Sequence, residues 1–152
     1  GEVARVPVGK ARGHVGFTPD GRHCYVSLRD ENSVAVTDTA GRRVITKSRW
    51  GPRPIQLFAL PNGREFYVVN QGTEASPGNT VSVIDTTTQK VIPEIITLAV
   101  LMESPQHSGD RVFVVNSFAD IVLEIDPETH RAARSIPVGS GPGGITVGEG
   151  PR

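Results

Sequence analysis

Histidine, methionine and arginine at repeating offsets are the residues of this chain best suited to chemistry. His14, Gln56, Met102 and Gly144 each stand five residues beyond a landmark, respectively Gly9, Gly51, Thr97 and Gly139. If those landmarks are equivalent, the four positions converge, and a His with a Met can ligate haem iron or copper. The plainer reading is a solvated histidine and a gap-filling methionine, so no cofactor and no metal is expected. Arg12, Arg29 and Arg53 offer guanidinium groups to an anionic ligand or an acidic partner loop. Asp30, Glu31 and Glu74 share those segments, and pairing among neighbours accounts for the same residues. Asp38, Asp85 and Asp126 form a repeated acid trio. Each precedes a turn, where an Asx bond explains it without catalysis.

Motifs that would assign a reaction are missing. There is no G-x-S-x-G, H-E-x-x-H, C-x-x-C-H or P-loop pattern. Gly139-Ser140-Gly141-Pro142-Gly143-Gly144 is glycine-rich but opens no helix, so it reads as a turn rather than a phosphate cradle. No catalytic residue is assigned, and an enzyme is not the favoured reading. The single cysteine, Cys24, excludes an intrachain disulfide and reads as a small, half-buried side chain. His23, His107 and His130 read as surface histidines, and Trp50 as a packing residue.

The elements that must position these side chains are written in a repeat. Pro19-Asp20-Gly21-Arg22-His23-Cys24-Tyr25-Val26-Ser27 returns as Pro61-Asn62-Gly63-Arg64-Glu65-Phe66-Tyr67-Val68-Val69-Asn70. It returns again as Ser108-Gly109-Asp110-Arg111-Val112-Phe113-Val114-Val115-Asn116. A second phrase ends at Asp38, Asp85 and Asp126. Gly21 and Gly63 lie 42 residues apart, Gly63 and Gly109 46. A fixed period of this size is one supersecondary unit stamped out in series. The extra length of the middle copy sits in the polar stretch 71–79, which includes Gln71 and Glu74.

Gly 17 and Pro 12, with turn dipeptides at regular intervals and no sustained 3.6-residue apolar stripe, predict many short strands. Each unit divides into four: A over 14–18, 55–60, 98–103 and 145–147; B over 23–28, 65–70 and 111–116; C over 33–38, 80–85 and 121–126; D over 43–47, 90–96 and 131–138. Four antiparallel strands every ~40–45 residues are what a propeller blade requires. The expected fold is all-β, a partial β-propeller. Its blades span about 10–50, 51–96 and 97–138, with a lone strand at each end over 2–8 and 142–148. The D-to-A and B-to-C connections then share the channel-side face, which gathers Arg12, His14, Arg29, Arg53, Gln56, Gln71, Glu74 and Met102 as candidate ligand- or partner-binding residues.

Val83-Ile84-Asp85-Thr86-Thr87-Thr88, Ser135-Ile136-Pro137-Val138-Gly139 and Pro61-Asn62-Gly63-Arg64-Glu65-Phe66-Tyr67-Val68-Val69-Asn70 resemble the YVTN repeat. That repeat builds propellers of secreted and surface-layer proteins, similar to those of d1-haem enzymes and amine dehydrogenases. The resemblance implies a periplasmic or extracellular protein. It also implies three roles: a non-catalytic binding scaffold, which is favoured, the propeller of a d1-haem or quinone-type oxidoreductase, or a surface-layer or filament unit. Rings close with ~4–8 blades, so three blades predict a fragment or partial chain, remaining blades elsewhere, or a homo-oligomer. Beginning at Gly1 fits a processed or incomplete product. Lys+Arg and Asp+Glu are 16 each and offer no basic footprint for nucleic acid, nor does any stretch reach the ~18–20 apolar residues of a membrane helix.

Overall fold

A computed structural model of the chain describes residues 3–96, 102–108 and 111–146. The runs rich in Val, Ile, Tyr and Phe form strands, as such residues prefer. In chain order these are β1 (Arg12–Phe17), β2 (His23–Leu28), β3 (Ser33–Asp38), β4 (Arg43–Arg49), β5 (Pro54–Ala59), β6 (Glu65–Gly72), β7 (Pro77–Asp85), β8 (Lys90–Ile96), β9 (Met102–Ser108), β10 (Arg111–Asn116), β11 (Ile121–Asp126) and β12 (Arg131–Pro137). They assemble into three four-stranded sheets, β1-β2-β3-β4, β5-β6-β7-β8 and β9-β10-β11-β12, antiparallel throughout. Among the described residues the only helical element is one 3₁₀ turn, Arg29–Glu31.

Turn chemistry sets the register. Asp20 Oδ1 accepts from the Arg22 N–H at 3.0 Å and from the Thr18 hydroxyl at 2.6 Å. Asn62 Oδ1 does the same for the Arg64 N–H at 2.9 Å. Gly21 and Gly63 follow at φ +69°, a region open to glycine at no steric cost. Thr39 and Thr86 then hook the C-to-D turns onto these corners, donating to the carbonyls of Gly21 and Gly63 at 2.6 Å each.

The sheets pack face to face in chain order, with β1, β5 and β9 adjacent on the inner side. The first seam buries Tyr25, Val34, Val36, Leu57, Phe66, Val68 and Ile84, with the Tyr25 and Phe66 rings stacked at 4.0 Å. The second buries Tyr67, Val69, Val81, Val83, Val112, Val114, Leu123 and Ile125. Each such aliphatic or aromatic side chain contributes about 1.5–3 kcal/mol on leaving water. The architecture is a partial β-propeller of three blades.

Three expectations change. The terminal strands over 2–8 and 142–148 do not form within the described residues: 3–9 and 142–146 carry no strand pairing, because a lone strand has no ladder to join. The polar stretch 71–79 is not a loose loop. It lengthens β6 and β7 into a projecting hairpin that pairs Gly72 with Pro77. The first strand of the third blade lies further along than expected, at Met102–Ser108; positions 97–101 and Gly109 lie outside the described residues.

Candidate functional site

The D-to-A and B-to-C connections meet at one end of the sheets. Backbone and side-chain bonds tie every described D-to-A connection to a B-to-C connection. The Arg29 N–H reaches the Ala11 carbonyl at 3.0 Å, the Trp50 N–H reaches that of Asn32 at 2.8 Å, and the Gln71 N–H reaches that of Arg53 at 3.1 Å. Asn32 Oδ1 accepts from the Arg53 N–H at 2.8 Å. In the third blade Asp120 Oδ1 accepts from the Gly141 N–H at 2.8 Å, and the Ser117 hydroxyl donates to the Pro142 carbonyl at 2.6 Å.

The cations on this face are matched. Asp30 lies 3.6 Å from Arg29 Nε and 3.9 Å from Arg53 Nη2, so one carboxylate serves two guanidinium groups. Glu31 receives the Lys47 ammonium and the Lys10 N–H, and that first bond holds its carboxyl below the usual range. Arg12 departs from the group: it lines an apolar groove on the outer face of the first blade.

His14 is exposed on β1, and its N–H donates to the Ser27 hydroxyl at 2.8 Å. Ser27 Oγ donates onward to the Ile55 carbonyl at 2.7 Å, tying the first blade to the second. Gln56 is half-buried on β5, and Glu74 is exposed at the tip of the β6–β7 hairpin.

Met102 does not share the register of His14. Arg12 pairs with Leu28, Pro54 with Asn70 and Met102 with Asn116, so Met102 is the counterpart of Arg12 and Pro54. Position 97 lacks the glycine that marks the other units, and a two-residue slip leaves every side chain on its original face, so the pattern hid it. The Met102 side chain lies outside the described residues. Among those described, no three His, Cys, Asp or Glu side chains gather into a cation site.

The acid trio behaves as turn residues. Asp38 Oδ1 accepts from the Ala40 N–H at 3.2 Å, Asp85 Oδ1 from those of Thr87 and Thr88 at 2.8 Å, and Asp126 Oδ1 from that of Glu128 at 2.9 Å. The backbone bonds from Thr88 and Glu128 hold the Asp85 and Asp126 carboxyls below the usual range. Cys24 is a free, half-buried thiol that burial pushes up. Trp50 is buried in the first seam.

His130 is more than a surface histidine. Its Nε2 lies 2.9 Å from Glu65 Oε1, both side chains being largely shielded, and the Tyr67 hydroxyl donates to Glu65 Oε2 at 3.0 Å. Burial and the Glu65 charge push the Tyr67 phenol up. In the first seam the Tyr25 hydroxyl donates to Gln89 Oε1 at 2.8 Å; burial pushes that phenol up to about 12. Gln89 and His130 occupy the same C-to-D turn position, at φ +57° and +52°. The recurring tyrosine was the sequence signal for these latches; nothing local named its partners. Beside Glu65 and His130 a cavity of about 620 Å³ opens at the end opposite Arg29 and Arg53.

No family model matches the chain, and no curated protein matches it. Among solved structures, Kuenenia stuttgartiensis hydrazine synthase matches with a TM-score of 0.72 and 23% identity, over 80% of this chain and 36% of that one. The chain therefore spans little more than a third of that protein's length, and the likeness is one of fold. No helix among the described residues is long and apolar enough to cross a membrane.

Proposed function

We infer that this chain is part of an exported YVTN-type β-propeller that works as a non-catalytic interaction scaffold, engaging a protein partner through the loops of the channel-side face. The projecting hairpin carries the reading. Residues 73–77 stand exposed beyond the blade, with Glu74 at the tip, and a loop of extra length on a rigid scaffold is a common place for function. Its turn is internally bonded, Thr73 and Ser76 exchanging backbone bonds at 2.9 and 3.1 Å, so a partner would meet a preformed shape at small entropic cost.

Replacing residues 74–78 with a two-residue turn tests this. The shortened chain keeps its circular dichroism spectrum but loses the proteins that the parent chain retains from a periplasmic or secreted extract. An Arg22→Glu control at the opposite end keeps them. Equal retention by the shortened chain removes the hairpin from the interaction, and a Soret band in the purified chain replaces the scaffold reading with the haem-enzyme alternative.

A further inference from the structure

The A-to-B corner of the second blade and the C-to-D turn of the third line the cavity of about 620 Å³. The first and second blades share a smaller cavity of about 270 Å³ at the same end, so the repeat shows what has changed. In the first unit the Arg22 guanidinium lies 3.7 Å from Asp20. In the second, Asn62 stands at the place of Asp20 and accepts from the Arg64 N–H, which leaves the Arg64 guanidinium without a neighbouring carboxylate. Thr86 hooks its turn onto the Gly63 carbonyl, whereas its counterpart in the third unit is Pro127, which has no hydroxyl to donate. The next turn position holds Thr87 in the second unit and Glu128 in the third, their N–H groups donating to Asp85 and Asp126 respectively.

These exchanges leave a cation on the second blade's side of the cavity and an acid on the third blade's side. Arg64 and Glu128 are both exposed and both line the cavity. Neither side chain meets an opposite charge among the described residues. Apolar surface comes from Leu60, which is 4% exposed, and from Pro61 and Pro127. Glu65 and His130, also in the lining, are engaged with each other, and Glu65 accepts from Tyr67 as well. They therefore form a fixed wall.

We propose that this cavity binds a small zwitterion, an amino acid or dipeptide with an apolar side chain. The Arg64 guanidinium forks onto its carboxylate, Glu128 accepts from its ammonium, and Leu60, Pro61 and Pro127 cover its side chain. The volume lies within the ~300–1,000 Å³ of small-molecule sites, which combine apolar lining with a few placed polar groups. An amino acid and a dipeptide share this chemistry and differ in the distance between their charges. The site lies at the end opposite the channel-side loops, so the inference is independent of the hairpin reading.

Isothermal titration calorimetry of the 152-residue chain with leucine and with leucyl-leucine tests it. At least one of the two should bind at millimolar concentration or below, and the tighter one names the source. Arg64→Gln and Glu128→Gln, both at exposed turn positions, should each raise Kd at least about tenfold while the circular dichroism spectrum is unchanged. Leucinamide, which keeps only the ammonium, should not respond to Arg64→Gln. N-acetyl-leucine, which keeps only the carboxylate, should not respond to Glu128→Gln. Asn62→Asp rebuilds the first unit's pairing and should weaken binding by engaging Arg64, in a corner that Asp20 already closes in the first blade. Absence of heat with both probes overturns the proposal. So does binding that either glutamine variant leaves unchanged, or equal binding of N-acetyl-leucinamide, which carries neither charge.

Discussion

The carboxylates that close the turns set how the protein responds to acid. Asp20, Asp85 and Asp126 are held below the ordinary carboxylate range, Asp20 chiefly by the Thr18 hydroxyl and the other two by backbone N–H groups. A carboxyl with a lowered folded-state pKa contributes stability above its unfolded value, near 4, and that stability is lost as pH falls through the folded value. Thermal midpoints should therefore drop below about pH 4, and the drop should be shallower in Asp85→Ala than in the parent chain. The seam tyrosines act through single bonds. Tyr25→Phe removes the donor to Gln89 and should cost about 0.5–1.5 kcal/mol in urea unfolding. In a cycle with Gln89→Leu the double variant should lose less than the sum of the single losses, since the two side chains share one bond.

Strands and turns divide between those that hold the fold and those that present a surface. The β6–β7 hairpin depends on two glycines. Gly72 sits at φ +69°, and a Cβ on Gly78 would lie 1.8 Å from the Asn70 carbonyl oxygen. Gly78→Ala should therefore force the bulge apart and destabilise the chain by about 1–3 kcal/mol, read as a lower urea midpoint with the far-UV spectrum kept. The outer strands carry exposed Arg43, Lys47 and Arg49 on β4, and Arg131 and Arg134 on β12. Cations of this kind keep an unpaired edge from recruiting another strand.

Across the molecule, stability resides in the seams between blades rather than in any blade alone. Leu57 is 1% exposed and packs in the first seam, so Leu57→Ala should cost about 2–5 kcal/mol. Hydrogen exchange should be slowest in β2, β3, β6 and β7, whose central residues are buried. It should be fastest in β4 and β12, where residues alternate toward solvent or stand exposed. Such a gradient is expected where outer strands open before inner ones.

The chain's own pattern determined the blades. The Tyr, Phe and Val content of β2 and β10, the alternation of β3 and β11 and the Asp-Gly and Asn-Gly corners act within a few residues, so they were legible without coordinates. So was the joining of B-to-C and D-to-A turns at one end, which follows from antiparallel order. Tertiary structure alone decided that the Asp30 carboxylate beside Arg29 also reaches Arg53, that His130 meets Glu65, and that Met102 leaves the register of His14. These depend on side chains 23 to 65 positions apart and on a strand whose turn glycine is missing. Only packing between blades brings such groups together, and no local periodicity encodes that distance.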